Sequence, residues 1–338
     1  MHDNEIDFDP MKYDHYYYSH GKVLISGEYF VLDGAEALAL PTIVGQSLTV
    51  RYTASDNPIL YWKSYDNSGN VWFESRYEFW HFNCLDQRPS EIAFFLQRIL
   101  RQARKLNSHF LRDETDVFIE TRLEFPVDWG LGSSSTLIYN MAQWAYVNPF
   151  ELLFNIFGGS GYDIACAQSS GPIVYEKGPL GPLWSLSKFN PPFKDNLYFL
   201  YLGRKQKTSS AIKFYTKKRP FSSEMVAKFT HLTRGMEQTQ DFKEFQKLMA
   251  THENMVAKCL KLTPVKEKMF PDYWGEIKSL GAWGGDFTLI TSSSEKGYQK
   301  TKDYFASKGF EVLIPYNQLV LSLDQKPDSK RYQGFSQH

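Results

Sequence analysis

Three glycine-rich segments and one basic loop in this 338-residue chain have the residue types and spacing to hold a phosphate or move a proton. The first segment, Gly130-Leu131-Gly132-Ser133-Ser134-Ser135, falls between a strand pattern and a helix pattern. Glycine lets backbone approach an anion, and the first turn of a helix offers unpaired N–H groups and the positive end of its dipole. Serine hydroxyls placed there can hydrogen-bond a phosphate or coordinate Mg²⁺. A plain glycine turn with serine as helix N-cap reads the same stretch equally well. The GxxxxGK[ST] spacing of the Walker loop is absent.

The second segment, Gly158-Gly159-Ser160-Gly161-Tyr162-Asp163-Ile164-Ala165, sets one carboxylate in a tight, backbone-rich turn. Asp163 there has the chemistry of a general base for a substrate hydroxyl, or of an Asx-turn or N-cap residue. The third, Gly281-Ala282-Trp283-Gly284-Gly285-Asp286, is by itself only a turn. The basic loop, Arg204-Lys205-Gln206-Lys207-Thr208-Ser209-Ser210, offers Lys205 and Lys207 to a substrate phosphate, or is a solvated charge cluster.

Regular elements must carry these loops. Lys22 to Ser26 reads as a buried strand stopped by Gly27, and Asp33-Gly34 is a tight-turn signal. Residues 47 to 53 and 59 to 63 alternate like antiparallel strands. Ile92, Phe95, Leu96, Ile99, Leu100 and Ala103 recur at helical spacing over 91 to 106. A strand over 117 to 124 leads into the first glycine segment, a helix over about 134 to 146 leaves it, and a short helix starts at Asn148-Pro149. Residues 171 to 176 read as a further strand, and Gly178 to Pro182 as the domain boundary. Beyond it come a strand at 197 to 202, helices filling 222 to 261, a strand at 287 to 291, a helix near 295 to 308 and a strand at 310 to 314. That order predicts an α+β C-terminal domain.

Lys plus Arg and Asp plus Glu both number 38, so no global field draws the chain to nucleic acid or an anionic membrane. No apolar run reaches the length of a bilayer span, and the start MHDNEIDFDP has no signal-peptide core. Cys84, Cys166 and Cys259 form no CxxC pair. A cytoplasmic, reducing location is expected.

Ser19-His20-Gly21-Lys22-Val23-Leu24-Ile25-Ser26-Gly27-Glu28-Tyr29, with Val31 to Gly34 and Ala37 to Pro41, resembles the first motif of mevalonate and phosphomevalonate kinases. Gly130 to Ser135 is similar to the second, ATP-binding motif of the GHMP superfamily, named for galactokinase, homoserine kinase, mevalonate kinase and phosphomevalonate kinase. Gly281 to Asp286 is similar to the third. The motifs run in the family's order along nearly the whole chain. Gly159 to Ala165 looks like the corresponding segment of phosphomevalonate kinases more than that of mevalonate kinases, as do Gly284-Gly285-Asp286 and the segment Tyr201 to Ser210.

The resemblance implies a two-domain α+β GHMP kinase fold. Residues 1–182 would be a ribosomal protein S5 domain 2-like α/β domain that binds ATP, and residues 183–338 a ferredoxin-like α+β domain. It implies Asp163 as base and Lys22 beside it as the cation that stabilises the transferring phosphoryl group, although a solvated lysine at a strand start reads the same residue. ATP phosphates would lie on Gly130, Leu131, Gly132, Ser133, Ser134 and Ser135, with Ser134 on Mg²⁺. Ser160, Gly161, Gly284 and Gly285 would face the substrate, a small molecule such as phosphomevalonate or mevalonate, in a monomer or homodimer.

Three departures stand out. The family's magnesium glutamate has only Glu151 as a nearby candidate, and Asn148-Pro149-Phe150-Glu151 is also a capping box. The interval from the phosphate loop to Asp163 is short for a mevalonate kinase. Asp128, Trp129 and Trp283 are bulky where the motifs are usually small, and are expected to narrow the nucleotide site. A non-catalytic ligand sensor and a diphosphomevalonate decarboxylase are the alternatives. Retention of both Lys22 and Asp163 speaks against the first, and the Gly-Ser-Gly-Tyr-Asp segment against the second.

Overall fold

A computed structural model describes residues 12–203, 213–217, 219, 221–283, 286–293 and 295–323. Two sheets organise it. The first has seven strands: β1 (His15–Ser26), β2 (Ala37–Ala54), β3 (Ile59–Tyr65), β4 (Val71–Glu78), β5 (Thr115–Leu123), β6 (Ile173–Gly178) and β7 (Gly181–Leu186), in the order β4-β3-β5-β2-β6-β7 with β1 paired to β2. All its pairs are antiparallel except β3 with β5.

Four helices accompany this sheet: α1 (Glu91–Leu106), α2 (Ser133–Ala145), α3 (Pro149–Ile156) and α4 (Tyr162–Gln168). In α1 the stripe Ala93, Leu96, Ile99, Leu100 and Ala103 is buried, and the Ser90 hydroxyl caps it from Ala93 N–H at 3.1 Å. Ile92, expected on this face, is 38% exposed. The buried stripe is centred on the alanines, which let the helix sit close to the sheet, and Ile92 falls beside it.

The segment Gly178 to Pro182, where the sequence suggests a domain boundary, holds a hairpin of the first sheet. Gly178 and Gly181 face each other across the β6–β7 hairpin, so the first sheet continues to Leu186. The second sheet follows, with β8 (Leu197–Tyr201), β9 (Ile277–Ser279), β10 (Phe287–Thr291) and β11 (Leu313–Pro315) in the antiparallel order β11-β8-β10-β9. Its helices are α5 (Ser223–Gln238), α6 (Phe242–Leu260), α7 (Val265–Met269), α8 (Gly297–Ser307) and α9 (Tyr316–Leu319).

One apolar cluster joins the two halves. Val23 and Ile25 of β1, Leu40 of β2 and Leu131 of the phosphate loop pack in the same core as Phe199, Phe245, Leu280 and Phe287. Burying this shared apolar surface holds the glycine-rich loops of the two halves against one another. Among the described residues no helix is long and apolar enough to cross a membrane.

Candidate active site

The segment after β5 reaches α2 through two left-handed residues, Gly130 at φ 68° and Gly132 at φ 96°. Gly132 precedes the first residue of α2, and a Cβ on it would lie 2.8 Å from Ser135 Oγ and 3.1 Å from Lys22 Cγ. Only glycine fits there. The three serines divide their duties. Ser135 is buried and donates to Gly132 O at 2.8 Å, so its hydroxyl is spent on the loop itself. Ser133 is half-buried and Ser134 exposed, which leaves Ser134 the hydroxyl open to a ligand. Leu131 contributes a buried side chain and a carbonyl that accepts Lys22 N–H at 2.8 Å.

That backbone bond brings Lys22 to the loop. Gly21 permits it, because a Cβ there would stand 2.9 Å from Leu131 O. Lys22 Nζ lies 5.6 Å from the centre of the Tyr162 ring. Burial would lower the lysine's pKa, but Tyr162, Asp163 and Asp286 together outweigh it and raise the value, so Lys22 remains an ammonium.

Asp163 sits in the first turn of α4, after Gly161 at φ 93°, and takes Ile164 N–H on Oδ1 at 3.2 Å. Burial pushes its pKa up, against the opposing pull of Lys22 and two backbone N–H groups. The turn before it is fastened from β6: Tyr175 donates to Ser160 O, and Lys177 Nζ to Gly159 O at 2.7 Å. A Cβ on Gly161 would meet the Tyr175 hydroxyl at 2.9 Å. The structure therefore brings Lys22, the Gly130–Ser135 loop and the Ser160 to Asp163 turn together.

Glu151 fares differently. It is exposed in the first turn of α3, where Asn148 Oδ1 accepts the N–H groups of Phe150 and Glu151 at 2.9 and 3.2 Å. Asn148 is thus realised as the N-cap of α3 through its own side chain. Trp283, expected from the sequence beside the Gly130–Ser135 loop, does not line the cavity there. It is buried with Tyr29, Phe30, Tyr215 and Phe229, on the side of the loop facing α5 and α6. Trp129 does line it: its ring meets Phe287 edge-on at 5.4 Å and Tyr201 at 6.1 Å, while the Tyr201 hydroxyl donates to Asp128 Oδ2 at 2.9 Å. Lys205, Lys207, Gly284 and Gly285 lie outside the described residues.

Two features were missed by sequence reasoning. Asp286, at φ 34°, packs its carboxylate against Gly130, where a Cβ would be 2.2 Å from Asp286 Oδ2. With Lys22, Trp129, Gly281 and Phe287 it leaves a cavity of about 20 Å³ beside the loop, room for roughly one water. The second is a buried charge cluster. Lys278 Nζ donates to Glu28 Oε1 and, at 3.1 Å, to Ser279 O, with both side chains fully buried. Glu253 accepts Ser279 N–H at 3.0 Å and its hydroxyl at 2.8 Å, and burial raises its pKa to about 7. His252 Nε2 lies 3.3 Å from Glu28 Oε2, but it accepts Gly27 N–H at 3.1 Å, and burial pushes its pKa well down. That imidazole is neutral, and the contact is not an ion pair. The signal for the cluster was a lone lysine in the apolar strand pattern Ile277 to Leu280, which has to find an anion when buried.

No protein-family model and no curated protein matches the sequence. Solved structures do match in fold. A Streptococcus pneumoniae phosphomevalonate kinase, in complex with phosphomevalonate and AMPPNP, aligns over 88% of this chain and 98% of its own with a TM-score of 0.64 at 15% identity. A mevalonate kinase from L. major, in complex with R-mevalonate, covers 92% and 97% with a TM-score of 0.63 at 15% identity. A D-glycero-D-manno-heptose 1-phosphate kinase from Bacteroides thetaiotaomicron covers 90% and 95% with a TM-score of 0.61 at 14% identity. The chain has the α+β fold shared by these GHMP kinases.

Proposed function

We propose that this chain is an ATP-dependent small-molecule kinase of the GHMP type, with 5-phosphomevalonate favoured over mevalonate as acceptor. The observation that carries the reading is the convergence of Lys22, Asp163 and the Gly130–Ser135 loop, with Lys22 bonded to the loop through its own backbone. Asp163, with its raised pKa, is a stronger base than an exposed aspartate and takes the proton of the attacking acceptor group. Lys22 remains charged and offsets the negative charge of the transferring phosphoryl group. The backbone of the loop and the N-terminus of α2 hold the nucleotide phosphates.

The oxygen donors at the loop, with the exposed Ser134 hydroxyl among them, suit Mg²⁺, a hard cation held mostly by phosphates and water with one or two protein ligands. Bound with the nucleotide, Mg²⁺ supplies charge neutralisation between the phosphates. The preference for phosphomevalonate rests on the Gly159 to Ala165 sequence and on Gly284-Gly285-Asp286. A cytoplasmic location goes with the same reading.

One observation favours a second reading, binding without turnover: the cavity beside the loop is too small for a triphosphate unless Trp129 and the Gly281–Asp286 loop shift. A coupled ADP-release assay with Mg²⁺-ATP, run against mevalonate, 5-phosphomevalonate, homoserine and galactose, separates the two. Turnover with 5-phosphomevalonate alone supports the proposal down to its substrate. Turnover with another acceptor keeps the chemistry and moves the substrate. Nucleotide binding with no turnover on any acceptor favours the second reading.

A further inference from the structure

The turn that delivers Asp163 has little to hold it from within. Gly158, Gly159 and Gly161 are left-handed, at φ 74°, 98° and 93°, and glycine loses more backbone freedom on ordering than any other residue. Among the described residues, the backbone bonds of this turn run only into α4: Gly161 O accepts the N–H groups of Ile164 and Ala165 at 3.1 and 3.2 Å. A Cβ on Gly158 or Gly159 would meet nothing within 4 Å, so packing does not fix these two residues either.

Two side chains of β6 do hold the turn. Tyr175 and Lys177 stand two residues apart, so both project from one face of the strand. The Tyr175 hydroxyl donates to Ser160 O, and Lys177 Nζ to Gly159 O at 2.7 Å, which captures two consecutive carbonyls. Each donor is itself seated. The Tyr175 ring is fully buried among Leu24, Ala37, Ala165 and Ile173, and burial together with Asp163 pushes its pKa up, so the phenol stays a donor. The Lys177 ammonium lies 5.6 Å from the centre of the Phe154 ring on α3.

Strand register ties this clamp to Lys22. Tyr175 is paired with Ala37 of β2 and Ile173 with Ala39, and Ala39 is paired in turn with Leu24 of β1, two residues beyond Lys22. Both residues of the proposed chemistry are therefore referred to one sheet, Lys22 through its own strand and Asp163 through the two carbonyls before it. We propose that Tyr175 and Lys177 are positioning residues: by holding the carbonyls of Ser160 and Gly159 they set where α4 begins and keep the Asp163 carboxylate beside Lys22. This rests on the kinase reading above. The clamp acts on rate rather than on nucleotide binding, because the Gly130–Ser135 loop is built on other residues, and displacing a reacting group by about 1 Å can cost about a hundredfold.

The test is the ADP-release assay on the full chain, with Mg²⁺-ATP and 5-phosphomevalonate or whichever of the four acceptors turns over. It is run on the wild type, Tyr175→Phe, Lys177→Met and Lys177→Arg, and on the first two variants combined with Asp163→Asn. Phenylalanine keeps the buried ring and methionine most of the lysine stem, so each of these removes a donor with little change in packing. Both should lower kcat by about tenfold or more and leave the KM for ATP within about twofold of wild type. Lys177→Arg still donates and should recover most of the loss. In the Asp163→Asn background neither variant should lower the residual turnover further, since both act through that carboxylate. Hydrogen exchange at Ile164 and Ala165 should quicken in Tyr175→Phe as the start of α4 loosens. Wild-type kcat in both single variants, a KM for ATP that rises in step with the loss, or a full further loss in the Asp163→Asn background would overturn the assignment. A wild type with no turnover on any acceptor refutes the kinase reading instead. Hydrogen exchange then tests the clamp by itself, and unchanged exchange at Ile164 and Ala165 in Tyr175→Phe refutes it.

Discussion

Lys278→Met should destabilise the protein in a pH-dependent way. The lysine and Glu28 are both fully buried, and the ammonium is what makes the carboxylate tolerable there. Removing one member of such a pair costs about 3–5 kcal/mol, because an uncompensated charge is left behind, against a typical domain stability of about 5–15 kcal/mol. Methionine fills the space of the lysine stem, so cavity formation adds little. Burial already raises the Glu28 pKa, and losing Lys278 raises it further. An acid with its folded pKa above its unfolded one binds its proton more tightly when folded. Relative to the wild type the penalty is therefore smallest in acid, where Glu28 is protonated in both folded proteins, grows by at most about 1.4 kcal/mol per pH unit once wild-type Glu28 ionises, and levels off once Glu28 of the variant ionises too. Urea denaturation of the wild type, Lys278→Met, Glu28→Gln and the double variant, at mildly acidic and mildly alkaline pH, measures this. The double variant should recover at least about half of the Lys278→Met loss, since no orphaned charge remains. A Lys278→Met protein within about 1 kcal/mol of wild type at alkaline pH, or one whose deficit does not shrink in acid, would refute the reasoning.

Asp163→Asn should lower turnover by about two to four decades while far-ultraviolet circular dichroism and melting temperature stay near wild type; undiminished turnover would remove Asp163 as base. Gly132→Ala should destabilise the fold by about 1–2 kcal/mol through its left-handed φ, and displace Ser135 from Gly132 O, so both thermal melting and AMPPNP binding should fall. Intact melting and binding in that variant would mean the loop relaxes freely. Glu253 has its folded pKa raised to about 7, above its unfolded value, so the stability it contributes is complete in acid and lost as pH rises toward 7. Glu253→Gln should flatten the stability profile between about pH 4.5 and 7, by about 3 kcal/mol over that window, and an unchanged slope would assign it elsewhere.

What the sequence made legible was local. The α1 stripe, the β5–glycine–α2 transition and the Asn148 cap each depend on residues within a turn or two, and each is found where spacing and capping rules put it. β4 escaped because its inward residues include Ser75, so its alternation reads as polar on both faces, although Phe73 and Tyr77 flank it in the core. β7 escaped because Gly181-Pro182 looks like a chain break, and an exposed edge strand needs no apolar alternation. The chemistry followed the same division. Lys22, Asp163 and the serine loop carry recognisable neighbours in sequence, whereas the meaning of Lys278 lies 250 residues away at Glu28, and that of Asp286 at Gly130.

That long-range layer determines how the site can work. Glu28 follows directly from the strand that presents Lys22, and Lys278 precedes the loop that presents Asp286, so one buried ion pair sets the distance between the two residues flanking the phosphate loop. Gly27 N–H on His252 and Ser279 on Glu253 fix the same two segments to α6. With these bases anchored and the apolar core continuous between the sheets, opening the two halves apart would expose fully buried charges. The lower-cost motion is at the Asp128–Trp129 tip, held by ring contacts of Trp129, the Tyr201 hydroxyl on Asp128 and one backbone bond from Trp129 N–H to Pro126 O. Nucleotide entry should therefore move this tip while Lys22 and Asp163 keep their places. Hydrogen exchange on adding AMPPNP should then change at residues 128 to 135, and leave 22 to 28 and 277 to 279 protected. Deprotection of the latter segments would mean that the halves separate instead.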